Sequence, residues 1–289
     1  MRAIKWFLSV SLFCQFFSVM AQDVMTSFNP TTLHSDNLSR YTSYPYVREA
    51  DVMWARTIWS RIDVREKMNL QFYYPEIPTE AFLDNRRNLI NTLLQAIECG
   101  SLKAYQPGTN NDFGEIISYE EIVNKMGGGL LLTPVVNLED GSIDSIPIFE
   151  SPKTEQVVEF LVKELWFFNK NTSAMEVRII GICPIFYAYR DGDIDELEPV
   201  RKKLFWIYYP DAREILSQQE VYNYASNDAE QRTYDDIFIN RFFSSVIVQE
   251  TNMYNNRSIS EYTTGVDALL EAERIEETIF NFEQDVWNP

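Results

Sequence analysis

The sequence predicts a mixed α+β fold: one globular domain of alternating helices and strands behind an N-terminal leader and linker. Three observations predict it. Apolar stripes at helical spacing alternate with short runs rich in aromatic and β-branched residues, joined by short links. Apolar residues make up 45% of the 289 positions and aromatics 14%, so disorder is excluded as a global description. The stretch after the linker, roughly 240 residues, is long enough to bury a full core.

Residues 1–21 are expected to be a cleavable signal peptide. Arg2 and Lys5 open it, an apolar run from Trp6 to Phe17 follows, and Val19-Met20-Ala21 presents the cleavage site before Gln22. The run is too short and too interrupted to be a permanent span. Cys14 follows Leu12 and Phe13 rather than the small residues that lipidation requires, so the exported chain is expected to carry no lipid and to insert into no membrane. The leader holds two cations and no acid, so its removal lowers the net charge from −18 by two, to −20. A chain this acidic is repelled by nucleic acid and by anionic headgroups, and no basic block interrupts it. Residues 22–47, rich in Ser, Thr, Asn and Pro, read as a flexible linker, and residues 48–289 as the domain.

Within the domain, Trp54, Ile58 and Ile62 recur four apart over Asp51–Asn69, which predicts a helix with Asp63–Lys67 as an ion pair. Phe72-Tyr73-Tyr74-Pro75 reads as extended. A second helix runs from an N-cap at Thr79 to a terminator at Gly100, with Phe82, Leu83, Leu89, Ile90, Leu93, Leu94 and Ile97 as its stripe. Leu102–Tyr105 is a short strand, Pro107–Gly114 a polar loop, and Ser118–Met126 a brief helix stopped by Gly127-Gly128-Gly129. Ser151-Pro152 predicts a helix start, with Val157, Val158, Leu161, Val162, Leu165 and Trp166 as the stripe. Glu176–Arg190 is apolar in both alternation sets, hence a strand covered on both faces, with Pro184 requiring a bulge or a local edge. Lys202–Tyr209 is an aromatic strand closed by Pro210. Thr233 with Asp236 forms a capping box ahead of Ile237 and Phe238. Phe242–Glu250 is a strand, and Leu269, Ala272, Ile275, Ile279 and Phe282 form the inner face of a long acidic C-terminal helix.

The chemistry is defined by what is missing. The one histidine, His34, falls in the linker, where it lacks the fixed geometry of a Ser-His-Asp or Cys-His mechanism. The same shortage speaks against zinc, and no cofactor or catalytic residue is expected. Asp191-Gly-Asp193-Ile-Asp195-Glu196-Leu-Glu198 has Glu196 where a calcium loop needs glycine and Lys202 where it needs glutamate, so a solvated turn is the better reading. The triple glycine lacks the Lys-Ser/Thr of a phosphate loop. Cys99 and Cys183 either pair across a loop of roughly 85 residues, worth about 4–5 kcal/mol, or are two unrelated buried thiols. A carbohydrate-active enzyme using two carboxylates, or a soluble ligand-binding protein, stays open as an alternative.

The 51–75 segment concentrates aromatics beside cations in an acidic chain. Trp54, Arg56, Trp59, Arg61, Arg65, Tyr73 and Tyr74 are therefore candidates for a protein interface, since aromatics and Arg dominate such surfaces.

The strings Asp51-Val-Met-Trp-Ala-Arg-Thr-Ile-Trp59, Ile62-Asp-Val-Arg-Glu-Lys-Met-Asn69 and Tyr73-Tyr74-Pro75 resemble the GldN family, also called PorN. Trp206-Ile-Tyr-Tyr-Pro210, Asp235-Asp-Ile-Phe238, Arg241-Phe-Phe-Ser-Ser245 and Glu250–Tyr262 fit the same resemblance. It implies a non-enzymatic periplasmic component of the type IX secretion system, self-associating in a ring with a GldK/PorK-type outer-membrane lipoprotein. It also implies contact with the periplasmic part of a GldM/PorM-type motor protein, in support of secretion and gliding motility. No catalytic residue comes with the resemblance.

Overall fold

A computed structural model describes residues 41–77, 86–136, 143–188, 200–221 and 232–287. His34, Thr79, Phe82, Leu83 and the Asp191–Glu198 string lie outside these residues, as does everything before Tyr41. The fold below is that of the compact unit from Ser43 onward.

Its spine is a long antiparallel hairpin. β6 (Val157–Asn169) and β7 (Ala174–Ala188) pair from Val157↔Phe186 to Asn169↔Ala174. β1 (Val52–Asp63) pairs along the outer side of β6, and β10 (Val246–Glu250) adds outside β1. On the far side of β7 lie β9 (Trp206–Tyr208), then β2 (Ala104–Pro107) and β3 (Phe113–Ile117). The order is β10-β1-β6-β7-β9-β2-β3, with β8 (Val200–Lys203) also pairing with β7. β4 (Gly129–Val136) and β5 (Ile143–Glu150) form a separate hairpin.

Two expected helices are strands. Trp54, Ile58 and Ile62 are four apart, but four is an even number, so they also share one face of a strand. Val52, Thr57, Ile58 and Ile62 are β-branched, Trp54 and Trp59 are aromatic, and these residues fit a pleated surface better than a helix. The same applies to β6, where only Thr154–Gln156 keeps a turn of 3-10 helix after Ser151-Pro152. The Asp63–Lys67 ion pair is replaced by Asp63–Arg65 at 2.6 Å. Phe72 ends a 3-10 helix, Lys67–Phe72, instead of starting an extended run, and the Tyr74–Pro75 peptide is cis.

The expected strand across 176–190 is β7. At Pro184 its outer partner changes from β9 to β8, while Leu204 N donates to Pro184 O at 3.0 Å, so the residue without an N–H sits at a break in the ladder. That break also divides the expected 202–209 strand, with Leu204 and Phe205 buried between its halves. At Gly181 the Phe113 ring fills the space a Cβ would need.

Alternation along the spine separates two cores. Phe160, Val162, Ile182 and Phe186 enter the main one; Leu161, Cys183 and Ile185 enter a smaller one with Trp59 and Trp206. Four helices supply the main core. α1 (Leu89–Glu98) begins at Asn88, whose side chain accepts from Asn91 N at 2.9 Å, and ends at Gly100 with φ +71°. Its start is therefore Asn88, not Thr79. α2 (Tyr119–Lys125) is capped by Ser118, and Pro210 sits in the first turn of α3 (Tyr209–Gln218). α4 (Tyr234–Ile239) has the Thr233–Asp236 capping box. Phe72 is the hub, with ring centroids 6.3 Å from Phe160, 6.2 Å from Tyr234 and 5.3 Å from Phe238.

α5 (Val266–Trp287) builds a third cluster at the β1–β10 end: Ala272, Ile275 and Ile279 pack with Ile58 and Ile259, and Phe282 stacks on Trp54 at 5.1 Å. Leu269, expected on this inner face, is instead 54% exposed.

A buried ion pair joins α3 to α4. Arg213 Nε and Nη2 donate to the two oxygens of Asp235 at 3.0 and 3.1 Å, and the Tyr209 hydroxyl donates to Oδ1 at 2.7 Å. Burial, with Asp235 adjacent, holds the Tyr209 phenol far above its ordinary pKa. Arg213→Ala or Asp235→Ala strands a buried charge, and a loss of about 3–5 kcal/mol is expected in urea unfolding; a loss below about 1 kcal/mol would show that the pair is solvated. Cys99 and Cys183 are both free, the former exposed and the latter fully buried, with burial pushing its thiol up to about 12. Of these two, Cys99 alone should react with Ellman's reagent in the native state near pH 8, Cys183 following only on unfolding; equal rates would contradict the described core.

Candidate functional site

The structure gathers cations that the sequence scatters. β8 is a short strand of which Arg201, Lys202 and Lys203 are all exposed. Lysines on such strands discourage edge-to-edge pairing, and here they also sit between two concavities.

On one side is a depression of about 690 Å³ with Lys125, Lys153 and Lys202 on its rim and the buried Met126, Phe186 and Leu204 beneath. The glycine stop after α2 creates it. Gly127 has φ +73°, which turns the chain so that Lys153 N donates to Met126 O at 3.3 Å, and two lysines distant in sequence face one hollow.

On the other side is a cavity of about 250 Å³, lined among others by Arg61, Arg201, Lys203 and Glu159. Glu159 is 1% exposed. Its Oε1 lies 3.3 Å from Arg201 Nη2 and 3.9 Å from both Arg61 Nε and Arg65 Nη2, and its Oε2 has no hydrogen-bond partner among the described residues. The Tyr187 hydroxyl accepts from Arg201 Nε at 2.8 Å. Burial raises the Tyr187 pKa; Arg201 opposes the rise and Glu159 adds to it. For Arg201, burial works against the charge but Tyr187 and Glu159 outweigh it, so its pKa is raised. Arg65 donates to both oxygens of Asp63, which keeps that carboxyl below its usual range.

Asn111 pins the neighbouring loop. Its backbone is left-handed at φ +58°, its carbonyl accepts from Trp59 Nε1 at 3.2 Å, and its side chain bonds both Gln249 and Lys203. The loop thus caps the smaller core and holds Lys203 at the cavity.

The seven residues expected at an interface separate into groups. Arg61 and Arg65 meet at Glu159. Trp54 lies under Phe282, with the Arg56 guanidinium 5.5 Å from its ring and Arg56 paired to Glu250 at 2.7 Å. Trp59 is 1% exposed and belongs to the smaller core, so it is not a surface anchor. Tyr73 and Tyr74 form an edge-on pair at 5.1 Å, Tyr74 being exposed. Sequence reasoning overlooked β8, although Arg201-Lys202-Lys203 is a run of three cations in an acidic chain. Lys125 and Lys153 carried no signal of their own.

Chemically, the cluster suits ion pairing. Among the described residues no second carboxylate lines the cavity around Glu159, and the other buried acids, Glu164 and Asp235, are held by Arg241 at 2.7 Å and Arg213 at 3.0 Å. Glu159→Ala leaves three guanidiniums facing one another and is expected to cost on the order of 1–3 kcal/mol. Arg65→Ala, at an exposed position, should cost less than about 1 kcal/mol. Thermal melts of the two variants check this, and the reverse ranking would refute the description.

Comparison with curated proteins gave no match. A family model described as gliding motility associated protein GldN matches residues 47–288, nearly the whole of the described structure, and the chain belongs to that family.

Proposed function

We propose that this protein is a non-enzymatic structural subunit of the type IX secretion system. In this reading it forms a periplasmic ring with a GldK/PorK-type outer-membrane lipoprotein and contacts the periplasmic part of a GldM/PorM-type motor protein, supporting secretion and gliding. The observation that carries it is the GldN match across residues 47–288. Among the described residues, the buried acids Glu159, Glu164 and Asp235 each face an arginine, which gives them a structural use. In this reading residues 1–21 are removed as a leader on export, and the protein is held at the outer membrane through its lipoprotein partner.

The test is co-purification. Tagged protein, after leader cleavage, is expected to come down with the lipoprotein from solubilised outer membranes, and its deletion is expected to abolish secretion of cargo proteins. A stable monomer that neither binds the lipoprotein nor affects secretion when deleted would sink the proposal.

A further inference from the structure

α5 shows the sheet one face and leaves the other uncovered. Opposite Ala272, Ile275 and Ile279 lie Leu270 and Phe280, 56% and 58% exposed, with Glu273, Glu276 and Glu277 between them. None of these glutamates forms an ion pair among the described residues. The same holds for Lys125, Lys153 and Lys202 beside β8. One surface has three unpaired glutamates between apolar ends, its one cation, Arg274, being paired with Glu271; the other is a basic rim over the apolar floor of Met126, Phe186 and Leu204.

The two surfaces border different hollows of one molecule, although the first turn of α5, at Ala268 and Leu269, and β8, at Arg201 and Lys203, line the same Glu159 cavity. α5 packs at the β1–β10 end, whereas β8 hangs from β7, with β6 between β1 and β7. We propose that the outer face of α5 docks on the β8 strip of a second copy of this chain, Glu273, Glu276 and Glu277 facing Lys125, Lys153 and Lys202. Phe280 or Leu270 then enters the hollow over Met126 and Leu204.

Charge complementarity selects this occupant. Two copies of a chain with net charge −18 repel at long range, so approach is favoured where a basic strip faces an acidic one. Because the surfaces differ, the contact is heterologous: each copy offers a free α5 at one side and a free β8 strip at the other. Such contacts propagate head to tail and close into a ring when the rotation per step allows. The inference rests on the ring-subunit reading for its biological sense, although its chemistry concerns this chain alone.

The experiment is a charge reversal read by sedimentation velocity on the full exported chain. Glu276→Lys with Glu277→Lys, and separately Lys153→Glu with Lys202→Glu, are each expected to weaken self-association by at least about tenfold. Mixing the two reversed proteins, or combining all four changes in one chain, should recover it. All four positions are exposed, and unchanged melting temperatures confirm folding. The proposal is overturned if wild-type chain does not self-associate, if either reversal leaves association unchanged, or if the combination fails to recover it. Capture by the GldK/PorK-type lipoprotein is measured in parallel: if capture persists while the reversals do nothing, this surface is wrong and the ring reading survives. Should Lys153→Glu with Lys202→Glu reduce capture without changing self-association, the strip serves the lipoprotein and the inference falls.

Discussion

The architecture depends on the β6–β7 hairpin being apolar on both faces. Neither face can be left to water, and besides the α5 cluster at the β1–β10 end the described residues supply two coverings of unequal size. The larger is the helical layer α1–α4 with Phe72 at its centre. The smaller is improvised from the Asn111 loop, Trp59, Trp206 and the long side chains of Lys163 and Lys203, the Lys163 ammonium lying 5.1 Å from the Trp59 ring centroid. Where that improvised cover stops short of α5, the Glu159 cavity remains. The site is thus a consequence of incomplete coverage, and its charges are what such a boundary tolerates.

Burying acids is costly unless each has a partner. β6 carries two, Glu159 and Glu164, and both are met by arginines from elements remote in sequence. Arg241 reaches Glu164 from a left-handed backbone position, φ +54°, and lies 5.2 Å from the Trp166 ring centroid, while Trp166 Nε1 donates to the same carboxylate. Glu164 is thereby closed off, whereas Glu159 is ringed by guanidiniums at longer range. That difference in completeness separates a structural acid from one at a site.

Caps and stops were legible in the sequence because they are local. Asn88 could have been preferred to Thr79, but the terminator at Gly100, the Ser118 cap and the Thr233–Asp236 box needed no knowledge of the rest of the chain. β1 and β6 were not legible as strands because a spacing of four satisfies both periods, and nothing in a single segment tells which face will find a partner. Leu269 failed differently: it fits the stripe of α5, yet the helix meets a narrow sheet end, and its last turns are held by the Trp54–Phe282 stack. The basic strip was hidden because Lys125, Lys153 and Lys202 converge only through a glycine turn and a strand pairing. Of the interface candidates, Arg61 and Arg65 reached the strip's neighbourhood, and Trp59 was claimed by a core that sequence reasoning could not divide in two.

The pairing of β1 with β10 has a kinetic meaning. Arg56 bonds Glu250 across 194 residues, and Ile58 stands opposite Glu250 in the ladder. The first strand of the domain to leave a ribosome therefore waits for nearly the last before its outer edge is closed. Contacts so distant along the chain slow folding, since the loop entropy must be overcome before they form. A hairpin such as β6–β7 can form early, but the finished sheet belongs to the complete chain. For a protein exported as proposed, that delay keeps it threadable until it has crossed.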